Sequence, residues 1–148
     1  MSKHSICSDG IIDLVSKEID WKKYRFPGEI REVHYYEIQK SGTSKHYGHC
    51  YLLVNDEKPS YMGNIGFFIR EEYRGNEYAV MAGALLFQIA ETMGINTLFL
   101  AVNQDNKASK RVCEKLGCSY LETTRWDESG SPCSESSPER ELYMRKLK

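Results

Sequence analysis

Between Ala79 and Val102 the sequence passes from one hydrophobic period to another across a short break. Ala79, Ala82, Leu86, Ile89 and Met93 recur at steps of three and four and close on Gly94 as a C′ residue. The spacing predicts a helix of about 16 to 18 residues beginning near Arg74-Gly75. Thr97 to Val102 then forms a near-continuous apolar run, the pattern of a strand covered on both faces. A long helix leading into a buried strand requires a sheet to pack on, so the chain falls in the α/β (α+β) class. At 148 residues it has room for one domain, 1–148, and not for two.

The remaining segments fit around that core. Ile11, Ile12, Val15 and Ile19 sit at helical spacing, so Asp9 to Trp21 is expected to be a helix with Asp9 as N-cap, ended by Pro27-Gly28. Ile30 to Ile38, Tyr47 to Val54 and Tyr61 to Ile69 read as strands, joined by the polar turns Lys40–Ser44 and Asn55–Pro59 in an antiparallel meander. Asn106 to Leu116 aligns Ala108, Val112 and Leu116 in a second helix stopped by Gly117, and Cys118 to Thr124 and Glu141 to Leu147 complete the strands. Glu128 to Glu139 is a loop rich in Ser and Pro, with little to bury.

Composition narrows the function classes. Hydrophobic residues at 41% and charged residues at 28% exclude general disorder. Twenty basic against 21 acidic residues, a net charge of -1, argue against nucleic acid as partner. No apolar run approaches ~18 residues and Met1 to Cys7 lacks a signal-peptide core, so a cytoplasmic protein without membrane attachment is expected. Five cysteines without a C-x-x-C pair, and four histidines outside zinc spacing, give neither a disulfide framework nor a metal site.

The chemistry concentrates where a strand ends in the charged turn Arg70 to Asn76 and a helix begins. A helix start leaves about four backbone N–H groups unsatisfied at its positive end, which suits a phosphate if a small residue lets the anion approach. Gly75 supplies that access and Arg74 a cationic fork; alternatively, Gly75 only makes a turn and Arg74 is solvated. A second helix start follows the buried strand. There Asn106 is a natural N-cap whose amide could otherwise bind a peptide-like ligand, and Lys107, Lys110, Arg111 and Lys115 outnumber Glu114. Two helix starts after two adjacent strand ends can bracket one long anionic ligand.

Together, Arg74-Gly75-Asn76-Glu77-Tyr78-Ala79 and Asn106-Lys107-Ala108-Ser109…Glu114-Lys115-Leu116-Gly117-Cys118 resemble the two hallmark segments of the GNAT superfamily of N-acetyltransferases. The likeness runs from about Tyr61 to Leu121. The second segment suggests the branch containing ribosomal-protein N-terminal and small-amine acetyltransferases. The resemblance implies a mostly antiparallel mixed sheet with splayed central strands, flanking helices, and acetyl-CoA as co-substrate. It implies that backbone N–H groups of Arg74, Gly75, Asn76, Glu77, Tyr78 and Ala79 hold the pyrophosphate. Phe67, Phe68 and Ile69 would pair with the pantetheine arm, and Asn106 and Ser109 would contact it from the other wall. An amine acceptor, and a monomer or homodimer, are expected.

Three positions depart from the family pattern. Glu77 replaces a glycine, Asn64 a catalytic glutamate, and Cys113 the tyrosine that protonates the leaving thiolate. Cys113 is thus a candidate acid or a packing residue. Glu32, His34, Glu37 and His49, on strands before the turn, are candidate proton acceptors. Two rivals stand beside the enzyme: an acyl-CoA-binding module without catalysis, and nucleic-acid binding by the basic helix.

Overall fold

The structure, a computed structural model, describes residues 6–20, 30–55, 63–125 and 139–147. Pro27-Gly28, most of the Asn55–Pro59 turn, Tyr61 and nearly all of the Glu128–Glu139 loop lie outside the described residues.

The described part of Asp9 to Trp21 is not a helix. It belongs to a hairpin of β1 (Ile6–Ser8) and β2 (Ile12–Lys17). Asp9 serves the turn: its Oδ1 accepts from the N–H groups of Ile11 and Ile12, each at 2.8 Å, while Gly10 takes a φ of 89°. Every β2 residue then pairs with β3 (Ile30–Lys40), and this long ladder overrides the local helical spacing. Ile12 and Leu14 enter the core, whereas Ile11 remains 55% exposed.

From β3 onward the expected strands form, with β4 (His46–Asn55) and β5 (Ile65–Ile69) completing an antiparallel sheet in the order β1-β2-β3-β4-β5. A 3-10 turn (Glu71–Tyr73) leads to α1 (Tyr78–Thr92). β6 (Thr97–Asn103), α2 (Lys107–Lys115), β7 (Ser119–Arg125) and β8 (Glu139–Lys146) follow. Their strands make a second antiparallel sheet in the order β6-β8-β7. α1 starts at Tyr78 rather than near Arg74-Gly75, because Gly75 and Glu77 have φ of 86° and 67°, values no helix admits. It packs on β1, β2, β5 and α2, so it buries Ala82, Gly83, Leu85, Leu86, Phe87 and Ala90 rather than one stripe. A Cβ on Gly83 would lie 2.5 Å from Leu116 Cδ1, so glycine is what lets the two helices meet. β6 alternates instead of being covered on both faces: Leu98, Leu100 and Val102 are buried, and Thr97, Phe99 and Ala101 half-buried.

Among the described residues, backbone hydrogen bonds join the two sheets at one place. The Asn64 N–H donates to Phe99 O on β6 at 2.6 Å, and its O accepts from Leu53 N on β4 at 2.7 Å. The side chain doubles the link: Nδ2 donates to Leu53 O and Oδ1 accepts from Phe99 N, both at 2.9 Å. The backbone N–H that a continuous ladder would send to β4 is turned toward β6, and the side-chain amide makes up the lost bond. Beside it, Gly63 forms a lone bridge to Leu100. Its φ of 70° and the 2.8 Å approach of a Cβ to Ala101 N and Phe99 O both demand glycine.

Candidate active site

Past Asn64, β5 and β6 share no ladder among the described residues, and the sheets part. The resulting cleft has a volume of about 1060 Å³ and is lined by β5, the turn after it, the first turn of α1, β6 and α2. Of the residues expected to bind cofactor, it brings together Phe67, Phe68, Ile69, Arg74, Gly75, Glu77, Tyr78, Ala79, Asn106 and Ser109, with Cys113 at its inner wall.

Strand alternation decides which amides face the cleft. Arg70 N donates to Tyr47 O at 2.8 Å, and in the β4–β5 register this makes Phe68↔His49 and Gly66↔Tyr51 the hydrogen-bonded pairs. The backbone groups of Phe68 are thereby spent on β4, and those of Phe67 and Ile69 point into the gap. At the head of α1 the first intrahelical bond is Met81 N to Glu77 O at 3.0 Å, and no side chain caps the helix. The N–H groups of Tyr78, Ala79 and Val80 therefore have no helical acceptor, and all three residues line the cleft.

The turn is braced from below. Tyr78 stacks on Tyr47 with centroids 4.2 Å apart, and Tyr47 meets Tyr73 at 4.8 Å. Asn76 does not line the cleft; its Nδ2 donates to Tyr73 O at 3.0 Å and holds the turn closed. Arg74 folds back over the end of β5, with Nε donating to Ile69 O at 2.8 Å and its guanidinium 5.6 Å from the Phe68 ring centre. A Cβ on Gly75 would meet nothing within 4 Å, so this residue supplies a left-handed turn beside open space.

On the opposite wall Asn106 is the N-cap of α2, its Oδ1 accepting from Ser109 N at 3.1 Å. That use commits its carbonyl oxygen to the helix. Sequence reading missed what Lys115 does: its Nζ lies 2.6 Å from Glu77 Oε1 and ties the end of α2 to the start of α1. The carboxylate that stands in place of a glycine is thus turned to a lysine at the cleft rim.

The expected proton-transfer residues are scattered. Cys113 is 1% exposed and part of the core. Its hydrogen bond with the Cys118 thiol and its burial push its thiol far above the usual range. Glu32 and His34 pair with each other at 2.9 Å but do not line the cleft. They share a strand face with Tyr36 and Ile38, which is the α1 side of the sheet, whereas the odd-numbered residues of β3 share the face of His49 and Phe68. On that second face a ladder of rings runs from Tyr35 to His49 (5.5 Å) to Phe68 (5.3 Å). His49 is half-buried and lines the cleft, and Glu37 lies directly across from it on β3. Burial, then His46, lowers its pKa below the ordinary 6.5, while Glu37 opposes them.

A family model described as an acetyltransferase (GNAT) domain matches residues 15–119. No curated protein matches the sequence. Among solved structures, the fold resembles an acetyl transferase from Salmonella typhimurium that modifies the N-terminal serine of ribosomal protein L7/L12. That match has a TM-score of 0.64 at 16% identity and covers 80% of this chain and 66% of that one. The microcin C7 self-immunity acetyltransferase MccE, solved with acetyl-CoA and AMP, matches with a TM-score of 0.61 at 19% identity, over 77% of this chain and 61% of that one. A form of RimL, a ribosomal L7/L12 alpha-N-protein acetyltransferase, matches at 0.70 and 13%, over 97% and 94%. At these identities the likeness is one of fold, and this chain spans less than two thirds of the first two relatives. Among the described residues no helix is long and apolar enough to cross a membrane.

Proposed function

The chain belongs to the GNAT acetyltransferase family, and from that premise we propose that it transfers the acetyl group of acetyl-CoA to a primary amine, on a small molecule or a peptide or protein N-terminus, by direct attack in a ternary complex. The observation that carries this reading is the parting of β5 and β6 beside a helix start whose amides have no acceptor. The N–H groups of Tyr78, Ala79 and Val80 hold the pyrophosphate, with Gly75 giving access. Phe67 offers its backbone groups and Ile69 its N–H to the pantetheine amides, as an added strand does. An N–H of this pair, rather than of Phe68, stabilises charge on the thioester oxygen during attack. Arg74 positions the end of β5 through Ile69 O, and α2 from Asn106 to Ser109 forms the far wall. Cys113 is assigned to packing. The whole works as one domain, 1–148, in the cytoplasm.

The test is a calorimetric titration with acetyl-CoA, followed by a transfer screen over polyamines, aminoglycosides, amino acids and peptide N-termini. Saturable binding with turnover of at least one amine is the expected result; absence of binding would overturn the reading. One second reading has specific support, since Asn64 is committed to joining the sheets and Cys113 is buried, leaving neither usual proton-transfer position functional. It is an acyl-CoA-binding module, and tight binding without turnover of any amine would favour it.

A further inference from the structure

Attack requires a neutral amine, so a group near the thioester end of the cleft must take a proton from the ammonium. Among the described residues lining the cleft, the two side chains able to do so near neutral pH are Glu77 and His49. Glu77 stands at the start of α1, among the amides assigned to the pyrophosphate, and is paired with Lys115. His49 stands across from Phe68, flanked on β5 by the two residues whose amides face the gap.

We propose that His49 is the proton acceptor for the attacking amine, which reaches the cleft from the sheet face opposite α1. This rests on the acetyl-transfer reading above. The donor and acceptor sides are then separated by the sheet itself. Phe67 and Ile69 face α1, while His49, Phe68, Tyr35 and Glu37 occupy the other face. Rings on both sides, at interplanar angles of 30° and 25°, fix the plane of the imidazole. No described side chain hydrogen-bonds to its nitrogens, which leaves them for the amine or for one intervening water. The charged groups around it are Glu37 from β3, itself 3.9 Å from Lys17 Nζ on β2, His46 on its own strand and Arg74 above Phe68. Glu37 favours the imidazolium once formed, while burial and His46 lower the ring's pKa and favour its neutral form. In the step itself one ammonium proton passes to His49, and the freed lone pair forms the N–C bond to the acetyl carbon. The C–S bond breaks with its electrons going to sulfur, and the second amine proton ends on the thiol.

The experiment compares wild type, His49→Gln, His49→Ala and His34→Gln. Acetyl-CoA affinity is measured by calorimetry. Thiol release is followed against pH with spermidine, an aminoglycoside, a short peptide with a free α-amine, and water as acceptors. His49→Gln is expected to keep its affinity within about twofold, to lose roughly 10²- to 10⁴-fold in turnover, and to lose the acid limb of the kcat/KM profile. Added imidazole should restore part of the rate to His49→Ala. Turnover of His49→Gln within threefold of wild type would overturn the assignment, as would loss of acetyl-CoA affinity in parallel with rate, or loss of the acid limb in His34→Gln instead. A wild-type protein that binds no acetyl-CoA would overturn the acetyl-transfer reading itself, and the role of His49 with it.

Discussion

The two ends of the β5–β6 junction treat their polar groups in opposite ways. At Asn64, backbone and side chain together make four bonds to two strands of different sheets, and the residue is 6% exposed. At the other end the strands have parted, and the amides of Phe67, Ile69 and the first turn of α1 are turned into a cleft without a protein acceptor. Buried polar groups left unpaired are costly, so a fold keeps such a row only beside water or beside a ligand that pairs with it. The closed end therefore carries stability, and the open end is where the proposed binding falls. A mutation at one should leave the other largely untouched unless the sheets themselves shift.

Asn64→Leu breaks the closed end most directly, because it orphans Leu53 O and Phe99 N. A loss of about 2–5 kcal/mol in denaturant unfolding is expected, together with weaker acetyl-CoA binding as the sheets lose register. Unchanged stability would mean that the link is redundant. Gly75→Glu is the counterpart at the open end. A carboxylate beside the phosphate should weaken acetyl-CoA on the order of 100-fold or more, while strain at φ 86° costs stability only about 1–2 kcal/mol. Unchanged affinity in calorimetry would remove the phosphate site.

Asp13 extends the comparison to pH. It is 8% exposed, and its Oδ2 accepts from Gly42 N at 3.0 Å. Hydrogen bonding from Ser8, then from Gly42, holds its carboxyl below the ordinary carboxylate range. A depressed folded pKa means stability that is present above the unfolded value of about 3.9 and lost as pH falls through the folded one. The gap in unfolding midpoint between wild type and Asp13→Asn should hold from pH 7 to about 5 and shrink below about 4. A gap that stays constant with pH would contradict this. Glu77→Gln should have the smallest effect. Removing an exposed charge at the rim should raise acetyl-CoA affinity roughly two- to fivefold at low salt, with the gain fading as salt rises. A drop in affinity would show that Glu77 supports the site.

What could be read from the sequence follows the same division. The open end is built from local signals: Gly75 before a helix, Asn106 capping the next, and an apolar run between them. All three lie within short windows, so the turn and the two helix starts that line the cleft are legible in local spacing, Asn76 excepted. Asn64 is different, because its partners Leu53 and Phe99 lie on two strands and only the assembled sheets bring them to it. The N-terminal hairpin is hidden from the sequence because Ile12, Val15 and Ile19 fit a helical spacing, while the β3 ladder that decides the matter is remote in sequence. Strand parity explains the proton-transfer candidates. Glu32 and His34 fall on the even face of β3, whereas His49 reaches the cleft through its pairing with Phe68, and spacing alone does not reveal cross-strand register.

The most direct measurement is an amide-resolved NMR titration of the wild-type protein with acetyl-CoA. The resonances of Tyr78, Ala79, Val80, Phe67 and Ile69 should move together and saturate, while those of Leu53 and Phe99 at the closed end stay in place. Saturating shifts confined to other surfaces, with the amides of Tyr78 to Val80 unmoved, would contradict the account.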